Sequence, residues 1–384
     1  MNTEKLLFDL LRFTLKGEML ADNVKKCIDE ESLLKLYAMS KKHDLAHIIG
    51  FALAENGLLL KGETAEKFKN QTMLAVYRHE IKMAELKSIS ELFENEKIEH
   101  LQLKGQTVAR FYPEPWMRTS CDIDILVSPN DLSRAKTLLC EKLGYECREE
   151  GHYEVSLYSP SGMHLELHFK MRESSAQLNK SLDELSDFVV KSGEGEYSLA
   201  FKDEFLFSYV VIHAADHFAR SGCGIRQILD LWFLDKKLYV SEEALTSLLD
   251  KRGATLFFER TRQLNAVWME NAEHTQITKK MEEFILGSGV YGTQENYLVL
   301  TQEKLGGRRG FFLKRLFLKR EHLQFYYPIL KKHPYLMPFV QVWRWIQSVF
   351  NKKAQNAIRE FGNLKKMSEE KTSEITDIVK ELGL

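Results

Sequence analysis

The 384-residue sequence predicts an α+β protein, a small mixed β-sheet core flanked by N-terminal and C-terminal helical regions. Three observations carry that reading. Apolar residues recur at helical spacing through roughly the first ninety positions. The period then shortens to two within Asp122–Val127 and across a hairpin pattern at 153–169, and beyond Ser198 helical spacing returns almost to the end. A chain of this length exceeds one average domain. The expected division is a helical region over 1–77, an α/β core over 78–200, and a helical region over 201–384 with a basic segment at 303–366.

In chain order, Leu6, Leu7, Leu10, Leu11 and Leu15 predict a first helix, and Leu33, Leu36, Leu45, Ile48 and Ile49 continue the pattern. Met73, Leu74, Val76, Tyr77, Ile81, Met83, Leu86, Ile89 and Phe93 predict one long amphipathic helix over 72–95. Ile98 to Leu103 reads as a short strand broken by Lys104-Gly105, and Thr107 to Tyr112 as a short helix closed by Pro113 and Pro115. Asp122 to Val127 alternates as a strand. Ser128-Pro129 is an N-cap and first-turn pair for a helix through Leu132, Ala135 and Leu139 that stops at Gly144. Tyr153–Tyr158 and Met163–Phe169 flank Ser159-Pro-Ser-Gly162 as a hairpin.

Composition excludes several classes. A content of 44% hydrophobic and 28% charged residues, with 21 Gly and 7 Pro, is that of neither a disordered, a collagenous nor a coiled-coil chain. Five cysteines, odd in number and without metal-ligand spacing, suggest buried thiols in a reducing compartment. Charged residues interrupt the N-terminal apolar pattern, and no charge-free run reaches the roughly twenty residues that span a bilayer. The expectation is a cytoplasmic protein with no transmembrane segment. The net charge of −1 gives no overall bias toward nucleic acid. It is nonetheless a cancellation: residues 303–366 hold fifteen Lys/Arg against three Glu, +12, and the remainder is −13.

The chemistry concentrates in Cys121-Asp-Ile-Asp-Ile-Leu-Val127. Residues two apart on a strand share a face, so Asp122 and Asp124 stand together, about 7 Å apart by Cα, while Ile123 and Ile125 enter the core. Paired carboxylates repel, and a divalent cation with oxygen ligands, Mg²⁺ or Mn²⁺, would relieve them; the plain alternative is an edge strand whose aspartates face water. About seventeen residues upstream, Lys104-Gly105-Gln106 leaves a strand and opens a helix, where backbone amides can approach a phosphate. Lys104 and Arg118 add positive charge. In His164-Leu-Glu-Leu-His-Phe169, Glu166 shares one face with His164 and His168. Two aspartates for metal and phosphates, plus a third acid to activate a hydroxyl, are what metal-assisted phosphoryl transfer uses.

Leu103 to Val127 (LKGQTVARFYPEPWMRTSCDIDILV) followed by His164 to Phe169 (HLELHF) resembles the uncharacterised nucleotidyltransferase family of the DNA polymerase β-like superfamily. The resemblance covers about seventy residues. It implies a nucleotidyltransferase core, catalytic and metal-ligating roles for Asp122, Asp124 and Glu166, with His168 beside them, and phosphate contacts from Lys104, Gly105 and Gln106. Arg118 takes a structural or phosphate role. The implied reaction moves a nucleoside monophosphate from an NTP to an unidentified acceptor, a small molecule or a protein. Most members of the wider superfamily follow the glycine with serine; here Gln106 stands in that place.

His213 and His217, spaced i, i+4, are either interface histidines or part of a face that closes over the nucleotide. Arg226 and Asp230, also i, i+4, either form a helix pair or line the site. In 303–366, Phe311, Phe312, Phe317, Phe325, Tyr326, Tyr327, Trp343 and Trp345 interleave with Lys and Arg. Nucleic-acid binding is disfavoured against an amphipathic helix with buried aromatics around Phe311, Phe312, Arg315 and Leu316; a membrane surface is the remaining reading. The non-enzymatic alternative is an inactive relative that binds a partner through these basic helices.

Overall fold

The computed structural model describes residues 2–59, 61–171, 181–349 and 369–384. Two units emerge from it, one of residues 1–216 with 224–290 and the other of 217–223 with 291–384.

The first unit begins with helices α1 (Thr3–Lys16), α2 (Asp22–Lys25), α3 (Glu30–Lys42), α4 (Ala46–Glu55) and α5 (Glu63–Asn95). The leucine face of α1 is buried throughout, and Gly17 ends the helix with a φ of 73°. Gly50 marks where α4 crosses α5: a Cβ there would lie 2.7 Å from Thr72 Oγ1 and 2.9 Å from the Phe68 carbonyl oxygen. The long helix starts nine residues before its apolar pattern, at Glu63 rather than residue 72. Its last turns bury Leu86, Ile89 and Phe93 against the sheet, whereas Met73 and Tyr77 are 70% and 63% exposed. Apolar spacing fixes the face of a helix but not how far along its length a neighbour extends.

Seven strands form one mixed sheet: β1 (His100–Gln102), β2 (Asp122–Val127), β3 (Glu146–Glu150), β4 (Glu154–Tyr158), β5 (His164–His168), β6 (Val189–Lys191) and β7 (Ser198–Phe201), in the order β3-β4-β5-β2-β1-β7-β6. β2 runs parallel to β5 and β1 parallel to β7; the other pairings are antiparallel. Ile123, Ile125, Val127, Leu165 and Leu167 project to one face and pack with α5 and with α7 (Leu132–Leu143) through Ala135 and Leu139. The predicted hairpin is present as β4 and β5. Ser128-Pro129 does not cap α7. It forms a turn in which the Ser128 carbonyl accepts from Asp131 N at 3.0 Å, and Asp131 takes the N-cap position. The fully exposed edge strand β3, Glu-Cys-Arg-Glu-Glu, carries charges that discourage edge pairing and hide its strand character from periodicity.

A short helix α6 (Lys104–Ala109) follows β1. After the sheet come α8 (Asp203–Ser221), α9 (Ile225–Lys237), α10 (Glu242–Asp250), α11 (Thr255–Glu270) and α12 (Gln276–Ser288). The second unit contains α13 (Gln294–Lys304), α14 (Arg308–Leu316), α15 (Arg320–Tyr326), α16 (Ile329–Lys332), α17 (Met337–Val349) and α18 (Glu369–Glu381). Its aromatics divide rather than bury together: Phe311 is buried, but Phe317, Tyr326 and Trp343 are more than half exposed. The side chains of Phe312, Arg315 and Phe325, and residues 350–366 of the basic segment, lie outside the described residues.

The thiols also depart from expectation. Cys27, Cys121 and Cys147 are exposed, Cys140 is half-buried, and Cys223 alone of the five is buried. Apolar sequence neighbours on a strand or loop end do not carry a cysteine inward with them. No described helix is long and apolar enough to cross a membrane.

Candidate active site

Parallel pairing sets Asp122 opposite His164, Asp124 opposite Glu166 and Leu126 opposite His168. Since alternate residues fill the core, the polar set of both strands is left on the other face. The ligating atoms of Asp122, His164 and Glu166 lie within 4.8 Å of one another, as do those of Asp124, Glu166 and His168, with Glu166 common to both groups. His168 Nε2 donates to Asp124 Oδ1 at 3.0 Å and stands 3.4 Å from Glu166 Oε2, and its Nδ1 is 3.7 Å from Glu154 Oε2. His164 is held by Ser156 Oγ at 2.7 Å and stacks on Tyr158. The strand pair is central in the sheet, not an edge facing water.

The two aspartates are electrostatically unlike. Burial, then the charges of Asp124 and Glu166, raise Asp122 above the ordinary carboxylate range. Burial pushes Asp124 the same way, but the hydrogen bond from His168 and the charges of Lys104, His168 and His213 outweigh it and lower the group to about 2. For His168, burial favours the neutral ring, and hydrogen bonds to Asp124 and Glu166 overcome it to raise the imidazole to about 9. A folded value above the unfolded one, about 6.5, gives stability that is complete below that pH and lost as pH rises through the folded value, roughly 3 kcal/mol here. Melting midpoints of wild type and His168→Gln should therefore converge toward alkaline pH. A gap that stays constant across that range would mean a neutral ring in the folded protein.

The positive groups come from other elements. Lys104, the first residue of α6, has a φ of 27° and places its ammonium 5.6 Å from the Tyr209 ring centroid. Such a backbone costs energy for a side chain with a Cβ. At Gly105 a Cβ would approach Ser120 Oγ to 3.1 Å and Arg118 Nη1 to 3.8 Å, so glycine keeps α6 against the segment that enters β2. Arg118, its side chain 11% exposed, pairs with Asp230: Nη2 donates to Oδ2 at 2.9 Å and Nε to Oδ1 at 3.3 Å, while Tyr112 Oη donates to Oδ1 at 2.8 Å. Of its structural and phosphate roles, these bonds support the structural one.

Arg226 and Asp230 are not paired with each other. Arg226 Nη1 donates to Asp44 Oδ2 at 2.6 Å and to the Thr119 carbonyl at 2.8 Å, and Thr119 Oγ1 donates to Asp44 Oδ2 at 2.6 Å. α9 thus holds Arg118 by the ion pair with Asp230 and Thr119 by the hydrogen bond from Arg226, which also pairs with Asp44. His213 acts on Asp124 through its charge. His217 belongs to the second unit, where its carbonyl accepts from Gly222 N at 3.1 Å.

Lys82 was not singled out by motif. It lies on α5, is 4% exposed, and donates to the Ser120 carbonyl at 2.8 Å and to Ser120 Oγ. Burial lowers its ammonium to about 8, against the opposing pull of Asp122. The signal was present in the sequence, since Lys82 falls in line with Leu86, Ile89 and Phe93, where a buried stripe wants an apolar residue. Beside it opens a small cleft lined among others by Arg78, His79, Lys82, Gln106, Trp116 and Arg118.

Either group, Asp122 and Glu166 with His164 or Asp124 and Glu166 with His168, offers two carboxylates and one imidazole nitrogen at a spacing that could hold a divalent cation. Fold and cluster together define an α+β protein whose mixed sheet presents acidic residues from two parallel strands on one face. The chain belongs to the uncharacterised nucleotidyltransferase family, whose model matches residues 29–270. Membership gives the class of chemistry, nucleotidyl transfer. The solution structure of the antibiotic-resistance factor ANT(2'')-Ia is similar at 13% identity and a TM-score of 0.36, over 49% of this chain and 96% of that one. No curated protein sequence matches the chain.

Proposed function

We propose that this protein transfers a nucleoside monophosphate from an NTP to an acceptor hydroxyl or similar nucleophile, using Mg²⁺ or Mn²⁺ held by Asp122, Asp124 and Glu166. The observation that carries the reading is the pairing of Asp124 with Glu166, which brings carboxylates forty-two residues apart to ligand distance on one face. Bound there, the cation would supply charge neutralisation for the phosphates and for the leaving pyrophosphate. The acceptor oxygen forms a bond to the α-phosphorus as the α–β anhydride bond breaks; pyrophosphate leaves with the electron pair, and the acceptor proton passes to Glu166. Lys104, with the Gly105 amide and Gln106, holds phosphates from the α6 side. The cleft beside Gln106 and Lys82 receives the nucleotide. Arg226 positions the strand entrance, and Arg118, held by Asp230, does so from the wall of that cleft.

Thermal shift tests this before any acceptor is known. Each NTP is added with Mg²⁺ or Mn²⁺, and a nucleotide at a hundredfold excess over its Kd should stabilise the fold by about 2.7 kcal/mol, which is several degrees of midpoint. Asp122→Ala/Asp124→Ala should fold and lose the shift. Absence of a shift with all four NTPs and either metal would sink the proposal.

A further inference from the structure

The last long helix of the basic region is turned inside out. On α17, Gln341 is 4% exposed and donates to the Leu318 carbonyl at 2.9 Å, while Arg344 Nη2 and Trp345 Nε1 donate to the Leu316 carbonyl at 2.5 and 2.7 Å. The polar side of the helix therefore faces its own unit. Phe339, Val342, Trp343 and Ile346, at i, i+3, i+4 and i+7, form a continuous stripe on the opposite side, 73%, 48%, 53% and 48% exposed. Tyr335, 68% exposed, lies just before the stripe in the chain. Scattered exposed apolar residues are ordinary; an aligned run on one helix is not.

The same region is strongly basic. Residues 303–349 carry ten Lys/Arg against two Glu, a formal +8, and Lys314, Lys319, Arg320, Lys331 and Lys332 are exposed. We propose that this face of the second unit is a docking surface for an anionic lipid bilayer, on which α17 lies with its stripe among the headgroups. Bulky apolar side chains and tryptophan on one side with lysine and arginine nearby are what a helix lying in that interface presents. A second copy of this chain meeting this face with its own would set +8 against +8. Nucleic acid would use the aromatics for stacking but has nothing to place on Val342 and Ile346. An acidic protein is left as an outcome of the test.

Full-length protein is floated with vesicles of phosphatidylcholine alone and of phosphatidylcholine mixed with phosphatidylglycerol. The expected result is binding to the mixed vesicles only, weakening as salt rises, since each basic residue near an anionic leaflet multiplies binding by roughly fivefold. Phe339→Ser/Trp343→Ser/Ile346→Ser should reduce binding by at least about tenfold with an unchanged melting midpoint, because the residues removed are exposed. Lys331→Glu/Lys332→Glu provides a second variant that leaves the stripe intact and should also bind less. A blue shift of tryptophan emission on vesicle addition, lost in Trp343→Phe, would place the stripe in the lipid. The proposal is overturned by failure to bind mixed vesicles or by equal binding of the stripe variant. A wild-type dimer that the stripe variant dissociates, or stripe-dependent binding of an oligonucleotide or an acidic peptide with no vesicle binding, would equally overturn it.

Discussion

Asp124→Asn should lower metal-dependent release of pyrophosphate from NTP by about a thousandfold or more, the scale seen when one preorganised charge is removed from a reacting centre. Asp124 is the carboxylate on which the cluster turns. It accepts from His168, faces Glu166 across the strand pair, and feels the charges of Lys104 and His213. Asparagine keeps the size and an acceptor for His168 but withdraws the charge, so the sheet should form while affinity for the cation falls. The loss should appear mainly in kcat at saturating metal and should not be recovered by excess NTP. Equal rates for the variant and wild type would remove Asp124 from the reaction and, with it, the proposed arrangement.

Asp230→Ala carries the largest expected cost in stability, about 3 to 5 kcal/mol, because it leaves a buried guanidinium without its counter-charge. Asp230 is 2% exposed and is the partner of both Arg118 and Tyr112. Burial works against the charge of Arg118, and the pair with Asp230 more than offsets it, holding the guanidinium more firmly protonated than usual. Urea unfolding of wild type, Asp230→Ala, Arg118→Met and the double variant separates the two contributions. The double variant should be closer to wild type than either single one, since it leaves no unpaired buried charge. Purely additive losses would mean that the two side chains do not depend on each other.

Much of this site was legible in the sequence because it rests on period. Asp122 and Asp124 share a face by alternation, as do His164, Glu166 and His168, and both groups appear where alternation puts them. What alternation could not supply was the pairing of β2 with β5, which depends on how the chain crosses between them. The clamp of Asp44, Thr119, Arg226, Arg118, Tyr112 and Asp230 was hidden for a different reason. Arg226 and Asp230 take partners 182 and 112 residues away, where i, i+4 spacing offered each a nearer one. Lys82 was readable in principle as a charge on an apolar stripe. β3, β6 and β7 were not: the first carries charge at every position but one, and the others are three and four residues long.

The parallel register of β2 and β5 has a bearing on which changes the gene can tolerate. Side chains alternate along β5, so one residue inserted into or deleted from the Ser159–Gly162 turn would, if the strand slipped to keep its pairing, send His164, Glu166 and His168 inward and set Leu165 and Leu167 beside the aspartates. Every residue of the cluster would still be encoded, and the cluster would not exist. The turn therefore works as a phase mark, and its length is under as strict a constraint as the acids it aligns.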